Sequence, residues 1–431
     1  MGQIHQRRAT LRFLHAADVH LGYQQYNSKE RFNDFYLAFR NLVDEAKARR
    51  AYFVLLGGDL FEKRTVDPLA MRQAVDGLQT LKDAGIPVIA VEGNHERAHY
   101  RDQYSWLQFL DAIGLLILLD PLVKEGRLVL EPYSVETGGA YVDLPGGIRV
   151  YGLKYYGAAT ERALALLQDA LAETSPPRPA YSILLTHAGL EGVLARCSGA
   201  VPRRAFEALR EHVDYVALGH IHKPYDFDAW IYNPGSLETW SVEEAAWEER
   251  GYYVVELTSR SPLRHHATLV PSPRRPFERL RLSVDACTSP EAVYEALQAR
   301  LKRVRPAPAS GRAPVVEVTL EGTLSFDRAE LDLSRVETMV RQAFSPLLVR
   351  VHNATVPSEF QISLQQASSR AELEHLVLRE LIERDIRYRA NAAAWTDVAL
   401  ELKRMAVANN SPDEILDYLR RKRAEIPLEE P

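Results

Sequence analysis

Short apolar runs alternate with amphipathic stretches through the first 257 residues of the chain. The apolar runs are four to eight residues long and end in small or polar residues, as buried strands do: LRFLHAA, AYFVLLGG, PVIAVEG, IRVYGLK, YSILLTH and VDYVALGH. The stretches between them have helical periodicity, for example in 31–50 and 68–85. Alternating strands and helices predict an α/β core over residues 11–258.

The pattern changes after residue 258. Residues 259–276 contain several prolines and show no clear period, which predicts a linker. Residues 277–352 read as strand, helix, turn, strand, helix and strand, which is enough for a small α+β module. Residues 370–426 are helical by pattern, and we place a capping box at Ser411 and Glu414. We expect residues 1–10 to be a flexible N-terminus.

Composition places the chain among ordinary globular proteins, since 46% of residues are hydrophobic and 26% are charged. The longest apolar run, 115–119, is far too short to span a bilayer, and no secretion signal is visible at the start. Two cysteines, Cys197 and Cys287, cannot build a disulfide framework or a multi-cysteine zinc site. We therefore expect a cytoplasmic protein without a membrane partner.

The net charge of −5 argues against a protein that coats nucleic acid by bulk attraction. The charge is unevenly distributed, however. Residues 260–312 contain 11 Lys and Arg against four Asp and Glu. Such a basic segment can follow a phosphate backbone, although a solvated surface of scattered charge explains it about as well.

Polar side chains of only three types follow five of the predicted strands. They are Asp18 and His20, Asp59, Asn94 and His95, His187, and His220 and His222. The carboxyl ends of strands in an α/β sheet form the mouth of the site, so these groups can converge there. A single histidine of this kind is more often structural, but the same chemistry at five strand ends is not expected by chance.

Carboxylate, amide and imidazole ligands without a thiolate suit Mn²⁺, Fe²⁺ or Zn²⁺. Even seven ligands drawn from these eight side chains exceed the needs of one tetrahedral ion, and a carboxylate can bridge two ions. A two-metal site holds its ions roughly 3.5–4 Å apart and clamps the attacking and leaving oxygens of a phosphoryl group. The pattern therefore predicts a two-metal site suited to phosphoryl chemistry.

The segments ADVH, GGDLF, GNHE, LLTHAG and GHIH, read in order, resemble the calcineurin-like metallophosphoesterase superfamily. Within it, HAADVHLGYQ, RFNDFYLAF and NPGSLETWSVEEA resemble the SbcD branch of double-strand-break repair nucleases. The resemblance implies a four-layer α-β-β-α sandwich, with 277–352 as a capping, DNA-binding domain. It also implies C-terminal helices at 370–426 that dock on an SbcC-like coiled-coil ATPase.

The resemblance assigns a role to each of the strand-end residues. Asp18, His20 and His222 would bind one Mn²⁺ ion; Asn94, His187 and His220 would bind the other; and Asp59 would bridge them. Mg²⁺, Fe²⁺ and Zn²⁺ are the alternative metals. His95 has no metal role and would protonate the leaving oxygen as a general acid. Candidate DNA contacts are Tyr23, Arg97, Arg274 and Arg275.

One position departs from the pattern of many archaeal and eukaryotic relatives, which carry a histidine where this chain has Glu62. We expect an acid there to repel a phosphate unless its side chain faces away. Relatives of this kind dimerise through helices equivalent to 68–84 and 102–113. The second of these segments has an apolar surplus, formed by Trp106, Leu107, Phe109, Leu110 and Ile113.

The leading interpretation is thus a manganese-dependent exonuclease and endonuclease that processes DNA ends as a homodimer with an SbcC-like ATPase. A small-molecule phosphodiesterase or a phosphoprotein phosphatase could use the same fold, because fold alone does not fix the substrate. A third interpretation is a non-catalytic scaffold that binds DNA and a partner.

Overall fold

A computed structural model describes residues 11–96, 104–173, 178–195, 197–258, 262–303, 311–357, 369–385, 387–408 and 410–427. Arg97 and the N-terminal segment 1–10 lie outside the described residues. The strands are β1 (Leu11–Ala16), β2 (Phe53–Leu56), β3 (Val88–Ala90), β4 (Ile117–Leu118), β5 (Val123–Lys124), β6 (Arg127–Leu128), β7 (Tyr141–Leu144), β8 (Ile148–Leu153), β9 (Tyr181–His187), β10 (Gly189–Leu190), β11 (Ala200–Val201), β12 (Tyr215–Gly219), β13 (Tyr225–Phe227), β14 (Ile231–Asn233), β15 (Gly251–Leu257), β16 (His265–Pro271), β17 (Phe277–Ser283), β18 (Val315–Leu324) and β19 (Leu348–Pro357).

The α-helices follow the predicted periodicity closely. They are α1 (Lys29–Ala48), α2 (Pro68–Asp83), α3 (Trp106–Ala112), α4 (Thr160–Glu173), α5 (Arg203–Glu207), α6 (Pro290–Arg303), α7 (Leu333–Phe344), α8 (Arg370–Arg384), α9 (Ala392–Val407) and α10 (Pro412–Glu425). Ser28 caps α1 by accepting from the Arg31 N–H, and Asp67 caps α2 ahead of a proline at its first turn. The capping box of Ser411 and Glu414 at the start of α10 is confirmed.

The chain divides into two compact units. The first comprises Met1–Arg279, Arg305–Glu317 and Phe344–Val349. It contains a six-stranded sheet of order β16-β15-β1-β2-β3-β4 and another of order β13-β14-β12-β9-β8-β7. Strands β1 to β4 are parallel, as are β8, β9, β12 and β14, and antiparallel strands complete the edges. The carboxyl ends of the parallel strands are therefore gathered along one edge of each sheet.

Three apolar clusters build the four predicted layers. Side chains such as Phe13, Ile89 and Ile183 fill the space between the two sheets. A second cluster, which includes Phe39 and Leu78, packs α1, α2 and α3 on the outer face of the first sheet. The third packs α4 and α5 on the outer face of the second sheet. The α-β-β-α sandwich is confirmed.

A buried ionic network ties α1 to two segments that are distant in sequence. The Asp34 carboxylate forms ion pairs with Arg31 at 2.7 Å, Arg275 at 2.5 Å and Arg312 at 3.2 Å. Arg31 also donates to Glu238 at 3.2 Å. Buried charges of this kind are tolerated because they are paired and hydrogen-bonded. The RFND and SLET motifs thus have a structural basis in this network.

The predicted linker at 259–276 is wrong in its middle part. Residues His265–Pro271 form β16, which pairs antiparallel with β15 over seven residues. The strand alternates exposed and half-buried positions, as an edge strand with one solvated face does. The prolines on both sides of this segment obscured the strand pattern in the sequence. The first sheet therefore extends past residue 258.

The second unit comprises Leu280–Val304, Val318–Ala343 and Arg350–Pro431. It contains α6, α7 and parts of the three-stranded sheet β17-β18-β19, in the predicted order of elements along the chain. Its C-terminal part consists of α8, α9 and α10, where Trp395 and Val398 of α9 are buried. The domain boundaries at 258, 277, 352 and 370 stay predictions.

Helix α3 divides its apolar residues between the core and the surface. Leu107 and Leu110 are buried against the first sheet, whereas Trp106, Phe109 and Ile113 are exposed. Only the last three are available to a partner. In the part of the chain that the structure describes, no helix has the length and apolar character needed to cross a bilayer.

Candidate metal centre

The polar residues that follow five parallel strands meet at one place in the first unit. Three groups of side chains among the described residues bring ligand atoms within 4.8 Å of one another: Asp18, His20 and His222; Asp18, Asp59 and His187; and His20, Glu62 and His95. The sheet topology explains the convergence, because β1, β2 and β3 are parallel neighbours and so are β9 and β12. Their ends face the same edge.

The first pocket is formed by residues that follow β1 and β12. His20 Nε2 and His222 Nε2 lie 3.0 Å apart, so both ring nitrogens point at the same space. Asp18 Oδ1 lies 3.8 Å from His222 Nε2. Asp18 also accepts the backbone N–H of His220 at 3.0 and 3.1 Å, which links the ends of the two strands. A cation in this pocket would have one carboxylate and two imidazoles as ligands.

The second pocket is formed by residues that follow β3, β9 and β12. Asn94 Oδ1 lies 3.0 Å from His187 Nε2 and 2.9 Å from His220 Nδ1. Asp59 Oδ2 lies 3.4 Å from the same His187 nitrogen. The amide oxygen and the carboxylate oxygen thus approach one imidazole together. A ligand atom of Asp59 also lies within 4.8 Å of one of Asp18, a member of the first pocket.

His95 lies beside Asp59 but belongs to neither pocket. Its backbone N–H donates to Asp59 Oδ1 at 3.0 Å, and its Nδ1 donates to the carbonyl oxygen of Glu62 at 2.6 Å. Its Nε2 lies 4.0 Å from Asp59 Oδ2, and 27% of the side chain is exposed. The bond at Nδ1 fixes the ring and leaves Nε2 available at the open side of the site.

The backbone at the centre is strained. Asp18, His20 and Asp59 adopt left-handed conformations with φ of 53°, 54° and 54°, and His220 has φ of 92°. Left-handed backbone is rare for residues other than glycine and persists where the surroundings over-determine it. Here the strained backbone orients the side chains toward the two pockets. Four of the seven predicted ligands carry it.

Glycine is required at two positions because side chains pass close to the backbone. A Cβ on Gly93 would lie 2.0 Å from Asp59 Oδ1. A Cβ on Gly58, whose φ is +89°, would lie 2.4 Å from His187 Nδ1. Any other residue at either position would displace a predicted ligand.

The buried charges of the second pocket stabilise each other. Burial alone would raise the pKa of the Asp59 carboxyl, but the charge and hydrogen bond of His187 lower that pKa far below its ordinary value. Burial would lower the pKa of His187, but Asp59 raises it to about 9. Burial and the His187 charge lower the pKa of His220 to about 4.

Glu62 faces away from the open side of the centre. Only 9% of its side chain is exposed, and its Oε2 accepts the indole N–H of Trp240 at 2.9 Å. The same oxygen lies 2.9 Å from His20 Nδ1. Burial would raise the pKa of Glu62, but His20 and Trp240 lower it, so the carboxylate is held charged. This orientation removes the expected repulsion between Glu62 and a phosphate.

Several residues that the strand-end pattern did not predict surround the ligands. Glu96 accepts the backbone N–H groups of Asp59, Phe61 and Gly93 at 3.0 to 3.1 Å and so joins the loops after β2 and β3. The Tyr155 ring lies 5.1 Å from that of His220. Such contacts link positions far apart in sequence, which strand periodicity cannot reveal.

The predicted DNA contacts differ in their placement. The Tyr23 ring stacks on Trp240, 5.3 Å between centroids, close to the first pocket. Arg275 is buried and its guanidinium donates to Asp34 and to the Ala313 carbonyl, which argues against a contact with DNA. Arg274 is half-buried and donates to the Glu248 carbonyl at 2.5 Å. Arg97 lies outside the described residues.

The donors at this centre fit divalent cations. Oxygen and nitrogen donors without a thiolate match the preferences of Mn²⁺, Fe²⁺ and Zn²⁺. In the first pocket, two imidazole nitrogens lie 3.0 Å apart beside a buried carboxylate. In the second, one amide oxygen meets two imidazole nitrogens. A positive ion satisfies both arrangements.

Comparison with known proteins agrees with this chemistry. The sequence profile of the calcineurin-like phosphoesterases matches residues 11–224. The predicted resemblance is confirmed, and the chain contains a calcineurin-like metallophosphoesterase domain of a metal-dependent phosphoesterase. Within that class its relatives are proteins of the SbcD/Mre11 branch.

Two of these relatives are named DNA double-strand break repair protein Mre11. The protein from Archaeoglobus fulgidus is 33% identical over 275 residues, which cover 62% of this chain and 58% of that protein. The protein from Aeropyrum pernix is 29% identical over 348 residues, 79% of each. Among solved structures, the calcineurin-like phosphoesterase YfkN from Bacillus subtilis aligns at 13% identity with a TM-score of 0.38, covering 68% of this chain and 97% of that one.

Proposed function

We propose that this protein is a two-metal DNA nuclease that processes double-strand-break ends together with an SbcC-like ATPase. The observation that carries the proposal is the pair of pockets that meet at Asp59, with His95 beside them and outside both. The names of the Mre11 relatives supply the DNA substrate class. Hydrolysis of a phosphodiester requires stabilisation of charge on its oxygens and a proton for its leaving group. The pair of pockets matches the first requirement, and His95 matches the second.

The residues would divide between two divalent ions, with Mn²⁺ proposed and Mg²⁺, Fe²⁺ and Zn²⁺ as alternatives to compare. Asp18, His20 and His222 would hold one ion, and Asp59 would be shared. The other ion would be held by Asn94, His187 and His220. Bound ions would supply Lewis-acid stabilisation of charge on the phosphoryl oxygens.

His95 would act as the general acid. Its Nδ1 donates to the Glu62 carbonyl, which orients the ring and leaves Nε2 to carry the transferable proton. The proton would pass from Nε2 to the departing oxygen of the scissile phosphodiester. Asp59 Oδ2 lies 4.0 Å from that nitrogen.

DNA is proposed to reach the centre past Tyr23 and Trp240, whose stacked rings form an aromatic surface next to the first pocket. Aromatic faces of this kind stack on nucleic-acid bases without sequence preference.

The deciding assay compares linear duplex DNA, a cyclic nucleotide, an aryl phosphodiester and a phosphopeptide as substrates in Mn²⁺. Preferential cleavage of duplex ends supports the proposal. Preference for a small ester or the phosphopeptide would replace it with the corresponding alternative, and no turnover with retained DNA binding would indicate a scaffold.

Two partner surfaces belong to the same proposal. Trp106 and Phe109 on α3 and Ile113 directly after it are exposed and apolar, and we assign them to a homodimer contact. Leu381, Val407 and Leu416 are exposed on α8, α9 and α10, and we assign them to the coiled coil of the ATPase. The two assignments are tested separately below.

A further inference from the structure

Each histidine of the metal centre has a second ring nitrogen that faces away from the pockets. In the first pocket this nitrogen meets a carboxylate. His222 Nδ1 is hydrogen-bonded to Glu244 Oε1 at 2.7 Å. His20 Nδ1 lies 2.9 Å from Glu62 Oε2, an ion-pair distance whose angle falls outside that of a hydrogen bond.

In the second pocket the corresponding nitrogen meets a neutral backbone carbonyl. His187 Nδ1 donates to the carbonyl oxygen of Gly57 at 2.6 Å. His220 Nε2 faces the carbonyl oxygen of Ser198 in a close contact. The two pockets therefore have imidazole ligands in equal number but with different groups behind them.

Trp240 connects the two carboxylates behind the first pocket. Its indole N–H donates to Glu62 Oε2 at 2.9 Å, and its backbone N–H donates to Glu244 Oε2 at 2.9 Å. The buried Arg250 also donates to Glu244 and to Thr239. Both carboxylates are thus also held by donors other than the imidazoles.

A carboxylate behind a metal-bound imidazole fixes its tautomer and increases its strength as a ligand, and removing such a partner typically weakens metal binding by about 10–100-fold. A backbone carbonyl fixes the tautomer but adds no charge. The formal charges should increase the difference in metal affinity between the two pockets. Glu62 and Glu244 place two anions behind the first pocket, and Arg250 offsets one of them.

We propose that Glu62 and Glu244, joined through Trp240, are positioning residues that make the Asp18, His20 and His222 pocket the tighter of the two metal sites. The inference rests on the two-metal centre proposed above. It gives Glu62 a role that the resemblance does not assign, because many relatives carry a histidine there. The pocket of Asn94, His187 and His220 is then the site from which metal exchanges first.

The test is a Mn²⁺ titration of the full chain after chelation, with free Mn²⁺ followed by electron paramagnetic resonance. Wild type should bind two ions with separate affinities. His222→Ala should remove the tighter binding and His187→Ala the weaker. Glu62→Gln and Glu244→Gln should each weaken the tighter binding by about 10–100-fold and leave the weaker one unchanged. Glu243→Gln, an exposed neighbour, is the matched control and should alter neither.

Because Glu244 also pairs with the buried Arg250, the Glu62→Gln variant carries the test if Glu244→Gln fails to fold. Thermal melting in chelator should show wild-type stability for Glu62→Gln. Two sites of equal affinity, a tighter site lost in His187→Ala, or unchanged binding in Glu62→Gln would overturn the inference while leaving a two-metal nuclease intact. Two bound ions without cleavage of DNA would instead overturn the proposed function and leave the ranking of the sites standing.

Discussion

The side chains of the metal centre are buried and held by several partners, whereas those of the last C-terminal helix are exposed. At the centre, Asp18, His20 and His187 are fully buried, carry backbone strain or tight packing, and are each held by several partners. Helix α10 has no buried residue among those described, and its ion pairs, such as Arg420 with Asp417, are exposed. Exposed pairs contribute little to stability, whereas a buried charge without its partner is costly.

The comparison indicates how each region acts. The centre works by holding donors in one geometry, so a single atom changed there should alter chemistry. The helices leave apolar side chains uncovered, so changes there should alter binding and spare both fold and chemistry. The following variants test that division, from the largest expected effect to the smallest.

Asp59→Ala should abolish metal binding and reduce cleavage to the uncatalysed background. In the proposed centre the carboxylate would serve both pockets, and it also accepts the His95 backbone N–H, so its loss should disturb every part of the centre. Elemental analysis after dialysis and a DNA-end assay measure the two effects. Asp59→Asn is the control, because asparagine tolerates the left-handed backbone and removes mainly the charge. Full metal content in both variants would contradict the shared role of Asp59.

His95→Asn should retain both metal ions yet lose about 10²–10⁴-fold in cleavage rate, the usual effect of removing a general acid. The side chain is partly exposed and contributes no donor to either proposed pocket. Metal content and single-turnover rates on the same preparation measure the split. If His95→Asn loses metal as Asp59→Ala does, the division of roles between the two residues is wrong.

Phe109→Asp should convert the proposed homodimer to monomers, because a central aromatic contact in an interface typically contributes about 2 kcal/mol or more. Light scattering across a concentration series measures the change, and metal content should stay at the wild-type level. Leu107→Asp is an unsuitable probe of the dimer, since Leu107 is buried in the core and the charge would unfold the domain. A dimer that survives Phe109→Asp would contradict the assigned surface.

Val407→Glu should weaken binding of the ATPase and change the free energy of unfolding by no more than about 0.5 kcal/mol, as exposed substitutions do. Val407 is 76% exposed at the end of α9. Calorimetric binding and thermal melting measure the two effects, with the exposed neighbour Ala406→Glu as control.

Truncation after Pro357, which keeps β19 whole, should abolish binding of the ATPase and preserve cleavage of simple DNA ends. Wild-type binding by the truncated chain would contradict the docking assignment.

The convergence of the candidate ligands could be predicted from sequence because each one lies at the end of a buried strand or within four residues after it. Strand periodicity located the ends of β1, β2, β3, β9 and β12, and parallel topology requires those ends to share an edge. Asp18 and His220 were predictable for this reason although 202 positions separate them. The capping box at Ser411 was predictable because it depends only on neighbours in the chain.

The features that sequence did not reveal depend on contacts between distant segments. The sequence left open whether Glu62 faces the substrate, and its orientation follows from Trp240, 178 positions later. Arg275 was a candidate DNA contact, but Asp34 binds it from α1. Leu107 and Phe109 are both apolar residues of one helix, and only packing on the first sheet distinguishes the buried one from the exposed one.

Anomalous diffraction from crystals grown with Mn²⁺ tests the central claim most directly. The account predicts two peaks about 3.5–4 Å apart, one among Asp18, His20 and His222 and one among Asn94, His187 and His220, with Asp59 between them. Both peaks should remain in His95→Asn. A single peak, or a peak held by His20, Glu62 and His95, would contradict the two-metal centre.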